Sequence, residues 1–189
     1  MNVTSFFAAA MLLGAATSQP QSYSIDTKHS VMRVHVSKAG ALAAFGHDHD
    51  IAAPITSGKV DTGTQRVELE VDARAMSVQD AKASEKDRSE IQKTMLGPEV
   101  LDSTNNPRIV FRSTSAERAG SNGWSLRGNL TLHGETRPVV VQVSEREGHY
   151  IGRALIKQSD FGIKPVKAAG GAVRTKDEVR IEFDIQLAR

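Results

Sequence analysis

Apolar and polar residues alternate with a period of two through most of the chain, and this pattern limits the fold more than any other feature. Between residues 67 and 72, Val67, Leu69 and Val71 alternate with three carboxylates. The segment from 178 to 187 repeats the pattern over a longer stretch. Because successive side chains of a strand point to opposite faces, each segment predicts a strand with one apolar and one solvated face. Such strands are typical of an antiparallel sheet.

The chain contains roughly eight such strands, separated by turns rich in Gly, Asn and Asp. They must pair as two sheets or close into a barrel, and closure removes exposed edges. We therefore predict an all-β fold, an antiparallel eight-stranded barrel. Only 5% of the residues are aromatic, so few large rings are available to fill the interior, which favours an apolar cavity. The candidates for its apolar lining are Met32, Val34, Val36, Leu69, Val71, Phe111, Trp124, Leu126, Val141, Phe183 and Ile185.

Residues 84–96 break the alternation and predict the single helix. Ser84 can cap its start, acidic residues follow in the first turn, and Gly97 precedes a proline that ends it. The apolar residues of this segment make one narrow stripe of Ile91, Met95 and Leu96. A helix with such a stripe can lie on a sheet or across an opening, but cannot form a second core.

The N-terminal segment predicts export. Residues 6–16 are an uncharged apolar run, too short for a membrane span of about 20 residues, and small residues follow it at 16–18. We therefore expect a signal peptide at 1–18, with no transmembrane segment after its removal, and one domain at 22–189 in the periplasm or outside the cell. No Lys or Arg precedes the run, and a buried N-terminal helix is the alternative.

Charge and motifs exclude several functions. The 24 Lys and Arg residues are balanced by 22 Asp and Glu without a basic block, so we expect no nucleic-acid partner. The absence of cysteine excludes disulfides and thiol nucleophiles. The chain has no nucleophile elbow, phosphate loop or dinucleotide motif, and adjacent His29 and Ser30 would point to opposite faces of a strand. These observations predict a protein that is not an enzyme.

Several short motifs together resemble the YceI-like family of polyisoprenoid-binding proteins. They are Tyr-Ser-Ile-Asp at 23–26 with His-Ser at 29–30, Pro-Arg-Ile-Val-Phe at 107–111, Gly-Asn-Leu-Thr-Leu-His-Gly at 128–134, and Ser-Asp-Phe-Gly-Ile at 159–163. The resemblance implies a lipocalin-like barrel around a long apolar cavity, with an isoprenoid tail as ligand and no established catalytic residues. It also implies a periplasmic or secreted protein that requires no cofactor, and it permits a homodimer.

The segment Gly-His-Asp-His-Asp at 46–50 departs from the plainer loop of many family members. His47 and His49 would project on one side of an extended chain. They could hold a divalent metal ion with a third ligand from His29, His35 or His133, or line the cavity mouth and contact a polar head group. A hydrogen-bonded loop is the alternative. His29 and His133 also fit a structural role, as buried histidines that donate to a backbone carbonyl beside a turn.

Three functional hypotheses follow. The first is an exported, non-enzymatic protein that holds an isoprenoid or another long-chain lipid, of quinone or polyprenyl type, in the barrel. The second is a metal-dependent redox or sensing protein that uses His47 and His49. The third is a structural or stress-response module that acts through protein contacts.

Four basic residues could also gather at one end of the barrel and meet an anionic head group, namely Lys157, Lys164, Lys167 and Arg174.

Overall fold

The computed structural model describes residues 21–41 and 47–188. The predicted signal peptide at 1–18 therefore lies outside this range, and the predicted domain start at residue 22 lies at its edge. The strands are β1 (Ser22–Ser24), β2 (Val31–Ala39), β3 (His49–Ala52), β4 (Ile55–Asp61), β5 (Arg66–Asp72), β6 (Ser77–Val78), β7 (Arg108–Arg118), β8 (Gly123–Leu132), β9 (Glu135–Arg146), β10 (His149–Lys157), β11 (Lys167–Ala168) and β12 (Val173–Gln186). The helix α1 spans Glu85–Leu96.

All twelve strands belong to one antiparallel sheet. Its order is β1-β4-β5-β7-β8-β9-β10-β12-β2-β3-β6, and β11 pairs with β12. The all-β class is confirmed, but the predicted count of eight strands is wrong. Short strands such as β1, β6 and β11 contain only two or three residues, too few to show an alternation.

The sheet curls so that elements from its two ends meet. Strand β1 pairs with β4. Just after β1, Ile25 forms a β-bridge with Leu187, which follows the end of β12. On the other side, β3 pairs with β2, and Ala53, just after β3, donates its backbone N–H to the carbonyl oxygen of Met32. The residues between β3 and β4 then lead the chain directly into β4. These contacts enclose the face of the sheet that carries the apolar residues.

The alternating pattern correctly predicts which side chains are buried. In β8, Leu126, Leu130 and Leu132 are buried on one face, whereas Arg127 and Asn129 are exposed on the other. The same alternation in β5 buries Leu69 and Val71. The buried apolar side chains form one main cluster and a smaller one beside it, and both lie on the inner face.

The predicted helix and its cap are confirmed. Ser84 Oγ accepts a hydrogen bond from the backbone N–H of Asp87 at 3.1 Å, and Gly97 ends the helix. Met95 is the buried residue of α1, and Leu101 in the following loop is buried with it. Both pack against the main apolar cluster. The helix therefore covers one end of the curled sheet, as its narrow apolar stripe predicts.

Candidate functional site

The inner face of the sheet surrounds a cavity of about 480 Å³. Its walls are mainly aliphatic side chains from the long strands, with Phe111, Phe183, Trp124 and Tyr150 among them. All eleven residues predicted for the apolar interior line this cavity: Met32, Val34, Val36, Leu69, Val71, Phe111, Trp124, Leu126, Val141, Phe183 and Ile185. Their contact with a ligand stays a prediction. The volume lies within the range of about 300–1,000 Å³ that is usual for small-molecule sites.

Strand register defines two ends of the cavity. At one end, which we call the helix end, it is lined by Met95 of α1 and by Val100 and Leu101 of the following loop. The other end lies beside the β4–β5 and β7–β8 turns, because Val60 pairs with Val67 there, and we call it the hairpin end. The lining residues at the helix end are buried or half-buried, whereas Thr62, Gln65 and Arg118 at the hairpin end are exposed. The cavity therefore opens at the hairpin end.

Two glycines give the phenylalanine rings of the cavity wall their positions. A Cβ atom on Gly128 in β8 would lie 2.5 Å from the Phe111 ring and 2.6 Å from the carbonyl oxygen of Arg112. Gly152 in β10 sits in the same way beneath the ring of Phe183, its partner across the strands. Because these glycines lack side chains, the rings can lie close to the strand rather than extend further into the cavity.

Polar side chains among the lining residues concentrate at the hairpin end. Asp61, Thr62 and Gln65 come from the β4–β5 turn, and Arg118 ends β7. In the sequence, Asp-Thr-Gly at 61–63 indicates only a turn, and no local pattern marks Arg118 as a functional residue. Position along the strand is the signal that could have identified Arg118. It follows the inward-facing apolar residues of β7, and a polar residue at the end of such a series lies at the rim of the cavity.

The aromatic residues of the rim are arranged beside these polar groups. The guanidinium carbon of Arg118 lies 4.6 Å from the centroid of the Trp124 ring, within the range of a cation–π contact. The Trp124 and Tyr150 rings have centroids 6.3 Å apart with a tilt of 46°. The rim therefore combines an apolar surface with one oriented cation.

Neither of the two predicted site histidines lines the cavity. His49 lies in β3 across from Val36, towards the helix end, and its Nδ1 is 2.6 Å from Oδ2 of Asp80. Asp80 is buried, and its Oδ1 accepts the backbone N–H of Asp50 at 2.7 Å. His47 is exposed just before β3. A head-group contact for these histidines stays a prediction.

The histidines predicted as a third metal ligand form hydrogen bonds with other groups. His35 contacts the carboxylate of Asp50, and its Nε2 lies 3.2 Å from Glu182. His133 Nδ1 is 3.1 Å from the carbonyl oxygen of Phe161, the structural role expected for it. Within residues 21–41 and 47–188, no group of three or more His, Asp or Glu residues is arranged to hold a metal ion.

His29 is not the buried structural histidine that the sequence allowed, because its side chain is largely exposed. Its Nδ1 lies 2.8 Å from Oδ2 of Asp26, and the backbone N–H groups of Lys28 and His29 donate to Oδ1 of the same residue. These bonds lower the pKa of Asp26, with the side-chain bond to His29 as the largest cause. The arrangement stabilises the turn between β1 and β2 and lies outside the cavity lining.

No helix among the described residues is both long and apolar enough to cross a membrane.

Comparisons with known proteins agree with this architecture. The UPF0312 protein of Serratia proteamaculans is 27% identical over 168 residues, covering 82% of this chain and 83% of that protein. A UPF0312 protein of Pseudomonas aeruginosa is 26% identical over 173 residues, covering 82% of this chain and 86% of that protein. The crystal structure of Burkholderia cenocepacia BcnA superposes with a TM-score of 0.60 and 19% identity, covering 87% of this chain and 99% of that one.

A second solved structure supports the same fold. A mutant Campylobacter jejuni YCEI protein with a monobromobimane guest has a TM-score of 0.50 and 12% identity, covering 74% of this chain and 82% of that one. At these identities the two structures support the fold alone. The model of the YceI-like domain matches residues 23–187, nearly all of the described chain. The chain therefore belongs to the YceI-like family.

Proposed function

We propose that this protein is an exported, non-enzymatic binding protein that holds a long-chain lipid in the cavity of its curled sheet. An isoprenoid of quinone or polyprenyl type is the ligand that the family resemblance favours. The apolar run at 6–16 supports export to the periplasm or the medium.

The apolar cavity is the observation that carries the proposal. Each methylene group moved from water into an apolar site contributes about 0.8 kcal/mol, so the gain increases with every carbon of a tail until the cavity is full. The walls between the two ends offer almost only aliphatic and aromatic contacts. Such walls suit a flexible hydrocarbon tail better than a polar metabolite, whose hydrogen-bonding groups would lose water without replacement.

Native mass spectrometry of the gently purified protein tests the proposal directly. We expect a bound lipid, or uptake of farnesol or hexadecanol when the protein is isolated empty. Trp124 is the only tryptophan of the chain and lines the cavity, so its fluorescence provides a second measurement of binding.

Adjacent residues of β9 provide a matched pair of variants. Val141 lines the cavity and is 8% exposed, whereas Val140 is 42% exposed on the outer face. Val141→Asp places a carboxylate against the tail, and we expect it to abolish uptake. Val140→Asp should bind as the unmodified protein does.

A conservative cavity variant tests whether a substitution in the wall that keeps it apolar is tolerated. Leu126→Met keeps the wall apolar and near its original volume, and should retain both fold and uptake. An empty, folded protein that takes up neither farnesol nor hexadecanol would overturn the proposal. Equal uptake by folded Val141→Asp and Val140→Asp would show that binding occurs elsewhere.

A further inference from the structure

One basic residue stands at the rim of the cavity. Among the described residues that line it, Arg118 is the only Lys or Arg. The four basic residues that the sequence offered as an anion site do not line the cavity: Lys157, Lys164, Lys167 and Arg174. The cavity therefore meets positive charge at its hairpin end through Arg118.

The Arg118 guanidinium is held in place but remains available. It lies over the Trp124 ring at 4.6 Å, and Nη1 donates to the carbonyl oxygen of Ser121 at 3.2 Å. It forms no ion pair within 4.0 Å in the part of the chain that the structure describes. A guanidinium carries five N–H donors, so most of them are left for a ligand. Stacking on the indole reduces the freedom that Arg118 would lose on binding an anion.

Asp61 is the acidic residue of the same rim, and its carboxylate is engaged by its own turn. Oδ1 accepts the backbone N–H of Thr64 at 2.8 Å. Bonds from Thr64 are the largest cause that lowers the pKa of Asp61, with smaller contributions from Gly63 and Lys59. Asp61 thus stays ionised and held in the turn, while Arg118 is the charge left for a ligand.

We propose that the ligand is an amphiphile with an anionic oxygen head group, a carboxylate or a phosphate monoester, bound by Arg118 while its tail extends towards α1. This inference rests on the proposed function and specifies the chemistry of the head group. A hydrogen bond to a charged group contributes about 1.5–3 kcal/mol, which corresponds to about 10- to 100-fold in affinity. Exposure of Arg118 to solvent puts the expected effect near the lower value.

Pairs of ligands with the same tail isolate the head group. Isothermal titration calorimetry would compare hexadecanoate with hexadecanol and farnesyl phosphate with farnesol, below the concentrations at which they form micelles. We expect the anion of each pair to bind about tenfold more tightly than the alcohol. The first pair tests a carboxylate and the second a phosphate, so the two arms distinguish the source of the anion. Added salt should reduce the preference without weakening the alcohols.

Variants at the rim assign the preference to one side chain. Arg118→Ala should bind both members of each pair with the affinity of the alcohol, and Arg118→Lys should recover part of the difference. Arg127→Ala is the matched control, because Arg127 lies on the outer face of β8, 3.7 Å from Glu117. This control should keep the full preference.

The outcomes separate the two proposals. Equal binding of anion and alcohol by the unmodified protein would overturn the head-group inference and leave lipid binding intact. A preference that survives in Arg118→Ala would also overturn it, since another group would then supply the charge. Failure to bind any of the four ligands would overturn the proposed function itself.

Discussion

A leucine at position 154 should block part of the cavity and weaken the binding of a long tail. Ala154 lies in β10, is 6% exposed, and packs with Leu126 and Val141 in the smaller apolar cluster. It lines the cavity between its two ends. The leucine side chain would occupy space that the small alanine methyl group leaves for ligand carbons.

The magnitude follows from the carbons that are displaced. Leucine adds three carbons to the wall, and a ligand that gives up a similar volume loses about 0.8 kcal/mol for each methylene group. The total of about 2.4 kcal/mol corresponds to an affinity about fifty-fold lower. The empty protein should be equally or more stable, because the added side chain fills space without removing any existing contact.

Fluorescence of Trp124 during titration with hexadecanol measures the affinity, and thermal unfolding followed by circular dichroism measures the stability. Leu155→Ala is the control, because Leu155 faces outward and is 56% exposed. It should leave hexadecanol binding unchanged. An Ala154→Leu variant that unfolds at the normal temperature and binds hexadecanol as tightly as the unmodified protein would refute the reasoning.

Two further predictions concern the stability of the sheet. Ser113→Ala should lower the free energy of unfolding by about 2 kcal/mol, because the 2% exposed Ser113 accepts a backbone N–H of β5 at 2.8 Å and water cannot replace it. Urea unfolding should show a midpoint about 1 M lower for a typical slope, and an unchanged midpoint would contradict this role. Arg108 donates to the Glu70 carboxylate at 2.7 and 2.8 Å and lowers the pKa of Glu70 below its ordinary value of 4.5. The resulting stabilisation is present above that value and is lost as the pH falls through the lowered pKa, so Glu70→Gln should destabilise the protein more at pH 7 than at about pH 3. The reasoning fails if the two proteins differ equally in urea unfolding at both pH values.

The sequence alone determined the long strands, the helix and the inner face of the sheet. A period of two can be read from neighbouring residues, and it correctly selected Leu126 and Leu69 as inward-facing without knowledge of the strand order. Helix α1 was equally accessible, because Ser84 and Gly97 are local signals of where a helix begins and ends. Each of these inferences depends on residues a few positions apart.

Tertiary structure decided what lies together. Arg118 and Tyr150 are 32 positions apart along the chain, and only the pairing of β7, β8, β9 and β10 brings both to the Trp124 ring. His49 meets Asp80 because β3 lies beside the segment before α1, a contact that the spacing of His47 and His49 cannot reveal. Alternation states which face a side chain occupies, but not the end of the cavity at which it lies. That position depends on strand register, which is set by pairing between distant segments and by the turns that join them.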